Sequence, residues 1–274
     1  MPRRNFLRTL AYDGTDFHGW QRLSGAKPGA NRSVQGEVES TLAKVLGLPP
    51  RADGLPAIEI VGAGRTDAGV HAEGQGASFH AFTALSSEEL KAELNAAFPP
   101  DLECRACVEV DGRFHARLHA VSKTYRYRLF VSEDDDPRLK KTSLRVEGPI
   151  DLDAMRAAAG LLVGERDFRS LSNAKGEDTI RRLDEVRIEE SLNPRGGTIV
   201  DFLFVGPGFI YNQVRVMAAL LLEVGKGKIK SGRVRAILAS RDRRAAPGAL
   251  AAFGLCLVEV QYRGMVENQK TAGL

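Results

Sequence analysis

The residues best suited to chemistry lie in a glycine-rich segment, residues 61–71, with the sequence Val-Gly-Ala-Gly-Arg-Thr-Asp-Ala-Gly-Val-His. Its three glycines and two alanines allow the backbone to approach another group closely. Arg65 and Asp67 lie two residues apart, a spacing that points both side chains to the same side of an extended segment. A guanidinium close to the Asp67 carboxylate favours the ionised form, which can act as nucleophile or general base. The alternative is a strand-to-strand loop with a structural ion pair between arginine and aspartate.

Regular elements must hold this segment in place. The apolar and β-branched run 57–61 leads into it as extended chain, and a second extended run, 76–80, leaves it. Apolar residues at helical spacing predict a helix that begins at Ser33 and ends at Gly47. A second helix, 90–98, and a strand, 102–110, complete an N-terminal α/β unit.

Two further features of this half have short sequence signatures. Ser86 and Glu89, three residues apart, predict a capping box ahead of the second helix. Trp20, the only tryptophan, follows an Asp-Gly turn. It could anchor a loop in the core or contact a nucleic-acid base.

Composition indicates a globular protein with a modest basic surplus. Of the 274 residues 43% are hydrophobic, and the formal net charge is +4. Such a surplus suits a polyanion such as RNA, although an ordinary solvated surface has the same composition.

Cysteine count and hydropathy restrict the compartment and the metal chemistry. Three cysteines make a disulfide framework improbable and suit a reducing cytosol, so we expect a cytoplasmic protein. Cys104 and Cys107 form a single C-x-x-C without the further ligands that zinc needs, so we expect no metal site. No signal peptide and no membrane-spanning run is predicted.

A basic strand with interleaved aromatic residues is predicted over residues 123–130. Tyr125 and Tyr127 lie on one face, and Arg126 and Arg128 lie on the other. This pattern suits an RNA surface on which rings stack against extruded bases. An edge strand with a half-buried aromatic face is the alternative.

Two more arginines are candidates for binding or catalysis. Arg215 lies between two valines on an amphipathic helix that we predict to run to about Val224. If it is buried, it needs a carboxylate or a polar cavity; otherwise it is a helix-surface residue. Arg181 follows the polar loop 175–178 and is a candidate phosphate contact, although exposed arginines usually have no specific partner.

Segment 64–71 resembles the signature of the TruA-type tRNA pseudouridine synthases. Further blocks typical of that family follow in order: Tyr-Asp-Gly at 12–14 with Gly-Trp-Gln at 19–21, Phe-His-Ala-Arg at 114–117, Tyr-Arg-Tyr at 125–127, Asp-Phe-x-Ser at 167–170, Phe followed by Val-Arg at 209–215, and Gly-Leu-x-Leu at 254–257. The resemblance covers nearly the whole chain. Residues 211–213, where the family often has histidines, and the longer loop 23–32 depart from it.

The resemblance implies an architecture and an assembly. The fold would be α+β, with two pseudo-symmetric ferredoxin- or RRM-like halves, joined mixed or antiparallel sheets and a central basic cleft. We place the N-terminal domain at residues 1–112 and the C-terminal domain at 113–274. The resemblance also implies a homodimer that binds tRNA and needs no cofactor or metal.

The resemblance also assigns an activity and its residues. The activity is isomerisation of uridine to pseudouridine at positions 38, 39 and 40 of the tRNA anticodon stem-loop. Asp67 would be the nucleophile, Arg215 its partner, and Tyr125 would pack against the target base. The residues expected to contact RNA, besides Tyr125, are all arginines: Arg65, Arg117, Arg126 and Arg181.

Two other classes of function remain possible at this point. A non-catalytic RNA-binding module would bind tRNA and would tolerate replacement of Asp67. A hydrolase with Asp67 as nucleophile would release a free base or phosphate.

Overall fold

A computed structural model describes residues 2–22, 32–52, 54–176 and 178–264. These described residues form two compact units, one with those up to Val121 and from Leu257 to Gly264, the other with those between Ser122 and Cys256. This division differs from the expected boundary after residue 112 in two respects. Residues 113–121 belong to the first unit, and the chain returns to that unit at its end.

The described residues form eleven strands and five α-helices. The strands are β1 (Arg3–Tyr12), β2 (Val61–Gly62), β3 (His71–Phe82), β4 (Leu102–Val110), β5 (Ala120–Val131), β6 (Leu144–Val146), β7 (Gly164–Asp167), β8 (Ile180–Leu183), β9 (Glu185–Leu192), β10 (Thr198–Gly206) and β11 (Leu255–Tyr262). The helices are α1 (Val34–Val45), α2 (Ser87–Ala97), α3 (Leu152–Gly160), α4 (Gln213–Gly225) and α5 (Arg233–Ser240). The α+β class predicted from the sequence is therefore confirmed. No helix in these ranges is long and apolar enough to cross a membrane.

The first unit has an antiparallel sheet in the order β4-β1-β3-β2, and β11 also lies beside β3. In chain order its elements alternate as β1-α1-β2-β3-α2-β4. This order and alternation are those of the ferredoxin-like β-α-β-β-α-β arrangement. The loop that contains Asp67 connects β2 to β3, so it lies at one end of this sheet.

Helix caps and an apolar face fix α1 and α2. The Ser33 hydroxyl accepts a hydrogen bond from the Gly36 N–H at 3.2 Å, and the predicted capping box between Ser86 and Glu89 is present. Leu42 of α1 is fully buried, as are the leucines on the inner face of α2. Apolar burial of this kind stabilises each helix more than its intrinsic propensity does.

The extended run 57–61 pairs less than its composition suggests. Only Val61 and Gly62 form strand pairs, with Ser78 and Ala77 of β3. The N–H of Ile60 donates instead to Oε1 of Glu39 at 3.2 Å, a carboxylate on α1 with no solvent exposure. A side chain therefore takes the backbone donor that a longer β2 would have used.

The second unit has its own antiparallel sheet in the order β5-β10-β9, with β6 parallel to β5. A separate antiparallel pair, β7 and β8, lies off this sheet. Almost every residue of α4 is buried. Gly225 at its end lies so close to Met155 of α3 that a Cβ there would fall 2.5 Å from the sulfur. These two helices therefore pack tightly at the end of α4.

Candidate active site

The loop that carries Asp67 is anchored to β3 where it leaves β2. The N–H of Ala63 donates to the carbonyl of Gly76 at 2.7 Å. The side-chain amide of Gln75, which is fully buried, donates to the carbonyl of Gly64 at 2.7 Å. These two bonds satisfy backbone groups at the start of the loop and fix its direction.

Thr66, the residue before Asp67, is held at its backbone and at its side chain. Its carbonyl accepts from the N–H of Trp20 at 3.0 Å, and its hydroxyl lies 2.8 Å from the hydroxyl of Tyr12. Thr66, Trp20 and Tyr12 are all buried. The segment from the end of β1 to Trp20 thus packs directly against the candidate nucleophile's backbone.

Two glycines make this close packing possible. Gly19 has φ +90°, and a Cβ on it would fall 2.7 Å from the Thr66 carbonyl oxygen. A Cβ on Gly62 would fall 2.5 Å from the indole of Trp20. Trp20 is only 3% exposed, so the structure supports its role as an anchor of the loop rather than as a base contact.

Asp67 itself begins a tight turn. The N–H of Val70 donates to the Asp67 carbonyl at 3.1 Å, and Gly69, with φ +77°, supplies the positive φ that this turn needs. The N–H of Gly69 donates to the carbonyl of Phe17 at 3.2 Å. Asp67 is half-buried, and its main chain is held on both sides.

Arg65 does not form the structural ion pair with Asp67 that the two-residue spacing allowed. Its side chain is exposed and makes no hydrogen bond or ion pair with any described residue. A ligand can therefore bind the guanidinium without displacing a polar partner from the described part of the chain.

Arg215 lies in the first turn of α4 in the second unit and is half-buried. Its Nε donates to the carbonyl of Leu250 at 2.6 Å, and its Nη1 donates to Oδ1 of Asn212 at 3.0 Å. The N–H of Leu250 in turn donates to the Arg215 carbonyl at 3.3 Å. Two neutral acceptors thus help to orient the guanidinium.

Tyr125 lies on β5 and is 7% exposed. Its ring packs edge-on against Phe209, with centroids 5.1 Å apart. Tyr127, on the same face, is fully buried, and its hydroxyl donates to the carbonyl of Ala251 at 2.9 Å. Burial raises the pKa of Tyr127 above its usual range. Tyr127 is therefore a core residue and is not available to stack on RNA.

The predicted RNA-binding arginines differ in their surroundings. Arg126 is half-buried on β5, and Arg117 is exposed in the turn that precedes β5. Arg181 lies on β8, where its Nη1 contacts Oδ1 of Asp178 at 2.9 Å. Arg128, on the face of β5 opposite the tyrosines, forms a two-point ion pair with Asp201 at 2.7–2.8 Å.

The structure thus places Asp67, Arg65 and Arg117 in the first unit, and Tyr125, Arg126, Arg181 and Arg215 in the second. Sequence reasoning missed the residues that fix the main chain around Asp67 or contact the Arg215 guanidinium. These are Tyr12, Gly19, Thr66, Gln75 and Asn212. Gly19 was visible within its Gly-Trp-Gln block, but the contact between Tyr12 and Thr66 joins residues 54 apart in the chain. Nothing in the local sequence indicated that pairing.

Comparison with known proteins identifies the family. Residues 158–263 match the family model described as tRNA pseudouridine synthase. The chain is 38% identical over 263 residues to tRNA pseudouridine synthase A of Limosilactobacillus fermentum, covering 95% of this chain and 97% of that one. It is 34% identical to the protein of the same name from Acetivibrio thermocellus, covering 94% and 100% of the two chains. A third, from Bacillus pumilus, is 39% identical over 93% of this chain and 97% of its own.

The matches cover almost the full length of this chain and of each relative. The sequence identities are higher than chance similarity gives over such lengths. The family blocks found in the sequence lie on both compact units, in agreement with that coverage. The chain belongs to the tRNA pseudouridine synthase A family.

Proposed function

We propose that this protein isomerises uridine to pseudouridine at positions 38, 39 and 40 of the tRNA anticodon stem-loop, with Asp67 as the nucleophile. Its family makes it an isomerase that acts on tRNA. The observation that carries the finer proposal is the construction of the Asp67 loop. Five hydrogen bonds fix its main chain between residues 63 and 70, so the carboxylate is presented from a rigid turn.

The reaction needs a well-placed carboxylate. The C1′–N1 bond of uridine breaks, the base rotates, and C5 bonds to C1′, while C5 loses a proton and N1 gains one. The substrate and product have the same atoms, so the balance requires no oxidant, reductant or group donor. Asp67 can begin the sequence by attacking C1′, by attacking C6, or by removing the 2′ proton.

Arg215 is the proposed partner of Asp67. A guanidinium beside a carboxylate favours its ionised form and restricts its orientation. The Leu250 carbonyl and the Asn212 amide, which both accept hydrogen bonds from Arg215, are neutral, so neither of them cancels its positive charge. This supports an electrostatic role toward Asp67.

The other site residues act on the extruded nucleotide. The uridine must leave its stack, which costs a few kcal/mol. The exposed guanidinium of Arg65 can fill the vacated space in the RNA. Tyr125, fixed by Phe209, would pack against the base and is a candidate in deprotonation of C5. Arg117, Arg126 and Arg181 would contact the RNA backbone, which is recognised more by shape and charge than by sequence.

We also infer the finer architecture from the family resemblance: pseudo-symmetric halves, a central basic cleft that holds the active site, a homodimer and a cytoplasmic location. The strand orders support the pseudo-symmetry. In the first unit β1, β3 and β2 lie side by side, and in the second β5, β10 and β9 do so, with one α-helix after β1 and one between β5 and β9.

The experiment uses tRNA with tritium at C5 of uridine, since bond formation at C5 expels that hydrogen. We expect the protein to release tritium without added metal or nucleotide, and to leave the RNA chain intact. Transcripts that keep uridine at only one of positions 38, 39 and 40 should each release it. Release from other positions would contradict the site assignment. Loss of free base or phosphate would indicate a hydrolase, and binding without release a non-catalytic module.

A further inference from the structure

We infer that Asn212 is a positioning residue for the reaction, which holds the Arg215 guanidinium in the orientation that catalysis requires. This inference rests on the proposed function, because Asn212 would act through Arg215, the proposed partner of Asp67. Asn212 touches neither the substrate nor the reacting atoms in this proposal.

The backbone of Asn212 is unusual for its place in the fold. It precedes the first residue of α4, where an asparagine normally has extended backbone and caps the helix with its side chain. Here its φ is +60° and its side chain caps nothing in the helix. Among the residues that the structure describes, Arg241 is the other non-glycine residue with positive φ. Strained positions of this kind are enriched at functional sites.

A turn explains the backbone but not the choice of side chain. The carbonyl of Ile210 accepts from the N–H of Gln213 at 3.0 Å, and the Gln213 side chain accepts from the N–H of Ile210 at 3.0 Å. Asn212 is the third residue of this turn, and glycine suits a positive φ there better than any other residue. A purely structural requirement would therefore be met at least as well by glycine.

The side chain of Asn212 has a partner of its own. Its Oδ1 accepts the Nη1–H of Arg215 at 3.0 Å, so the positive φ directs the amide toward the guanidinium three residues later. Another acceptor of Arg215, the Leu250 carbonyl, belongs to a segment whose next residue, Ala251, accepts from the Tyr127 hydroxyl. Each hydrogen bond from a different nitrogen of the planar guanidinium restricts the rotation of its plane, and Asn212 supplies one of these bonds.

The test is Asn212→Gly, which relaxes the backbone and removes the acceptor. We expect kcat to fall roughly 10- to 100-fold, the range that small misplacements of catalytic groups produce. The dissociation constant for tRNA should stay within about twofold of the parent's, and the midpoint of thermal unfolding should move by no more than a few degrees. A structural role predicts the opposite pattern, with stability affected and kcat preserved.

A double-mutant cycle with Arg215→Lys tests whether Asn212 acts through Arg215. Lysine keeps the charge but cannot donate from two fixed points, so adding Asn212→Gly in that background should lower the single-turnover rate less than twofold. An additive loss in the cycle would overturn the inference. It would also be overturned by a kcat for Asn212→Gly within twofold of the parent, or by a fall in kcat matched by a large fall in the unfolding midpoint. A parent protein that releases no tritium would instead refute the proposed function.

Discussion

Asp67 occupies its place because neighbouring residues leave its main chain little freedom. Thr66 is fixed by Trp20 and Tyr12, and the turn that follows is closed by Gly69. The resemblance of this loop to the family signature, rather than its residue types alone, predicted Asp67 as the nucleophile. Neither could predict what holds it, because the bonds come from residues around 50 positions earlier in the chain.

Gly19 offers a direct test of that restraint. Gly19→Ala should lower the free energy of unfolding by about 1–3 kcal/mol, because an L-residue is strained at φ +90° and its Cβ would meet the Thr66 carbonyl. We also expect the tritium-release rate to fall, since Thr66 must move. Urea denaturation and single-turnover assays measure the two effects.

The matched control is Gly112→Ala, at a glycine whose added Cβ would meet nothing within 4 Å. It should change unfolding by less than about 0.5 kcal/mol and leave the rate unchanged. Equal effects of the two variants would contradict the proposal that close packing against Gly19 restrains Thr66.

At the scale of elements, the sequence predicted helices and strands well where a periodic face or a cap was present. The strand 102–110 and the capping box at Ser86 both occur as predicted. The run 57–61 was misleading because Glu39 takes the backbone donor of Ile60. A pattern of apolar residues does not show that a helix residue such as Glu39 is buried. It also does not show which group, here the N–H of Ile60, donates to the buried carboxylate.

Because Glu39, which accepts the hydrogen bond from Ile60, can titrate, we expect the free energy of unfolding to depend on pH. Burial raises the pKa of its carboxyl above the unfolded value of about 4.3. As the pH rises through that value, the unfolded chain releases the proton while the folded protein still retains it, so this group's contribution to stability falls. The fall ends once the pH exceeds the folded-state pKa.

Glu39→Gln removes this titration. The variant's unfolding free energy, relative to the parent's, should therefore increase as the pH is raised from about 4 through the weakly acidic range. Urea denaturation at several pH values measures the difference, and Glu59→Gln, at an exposed neighbouring position, controls for the loss of one negative charge. A pH-independent difference, or one of opposite slope, would refute the assignment.

For the whole molecule, the α+β class followed from the family resemblance, but the chain's return to the first unit at β11 was not predicted. Pairing between residues separated by most of the chain is decided by long-range packing, which local patterns do not encode. The same holds for the candidate site, whose residues were predicted from family blocks while the contacts that hold them came only from the structure.

The reactivity of the three cysteines tests the packing of both units. Cys104, Cys107 and Cys256 are all buried, and burial raises the pKa of Cys104 to about 11. Little Cys104 thiolate therefore exists at neutral pH, and burial shields all three thiols from reagents. We expect the native protein to react with a thiol reagent only slowly, and the protein unfolded in guanidinium to react at all three thiols. A thiol that reacted in the native protein as fast as in the unfolded chain would contradict the packing described.

The proposed role of Asp67 as the nucleophile can be tested by comparing three proteins. Tritium release from C5-labelled tRNA is measured for the parent, for Asp67→Asn and for Asp16→Asn, an exposed aspartate of the same unit. We predict that Asp67→Asn lowers the rate at saturating tRNA by roughly 10³-fold or more without weakening tRNA binding, while Asp16→Asn matches the parent. Release by Asp67→Asn at a rate close to the parent's would contradict it.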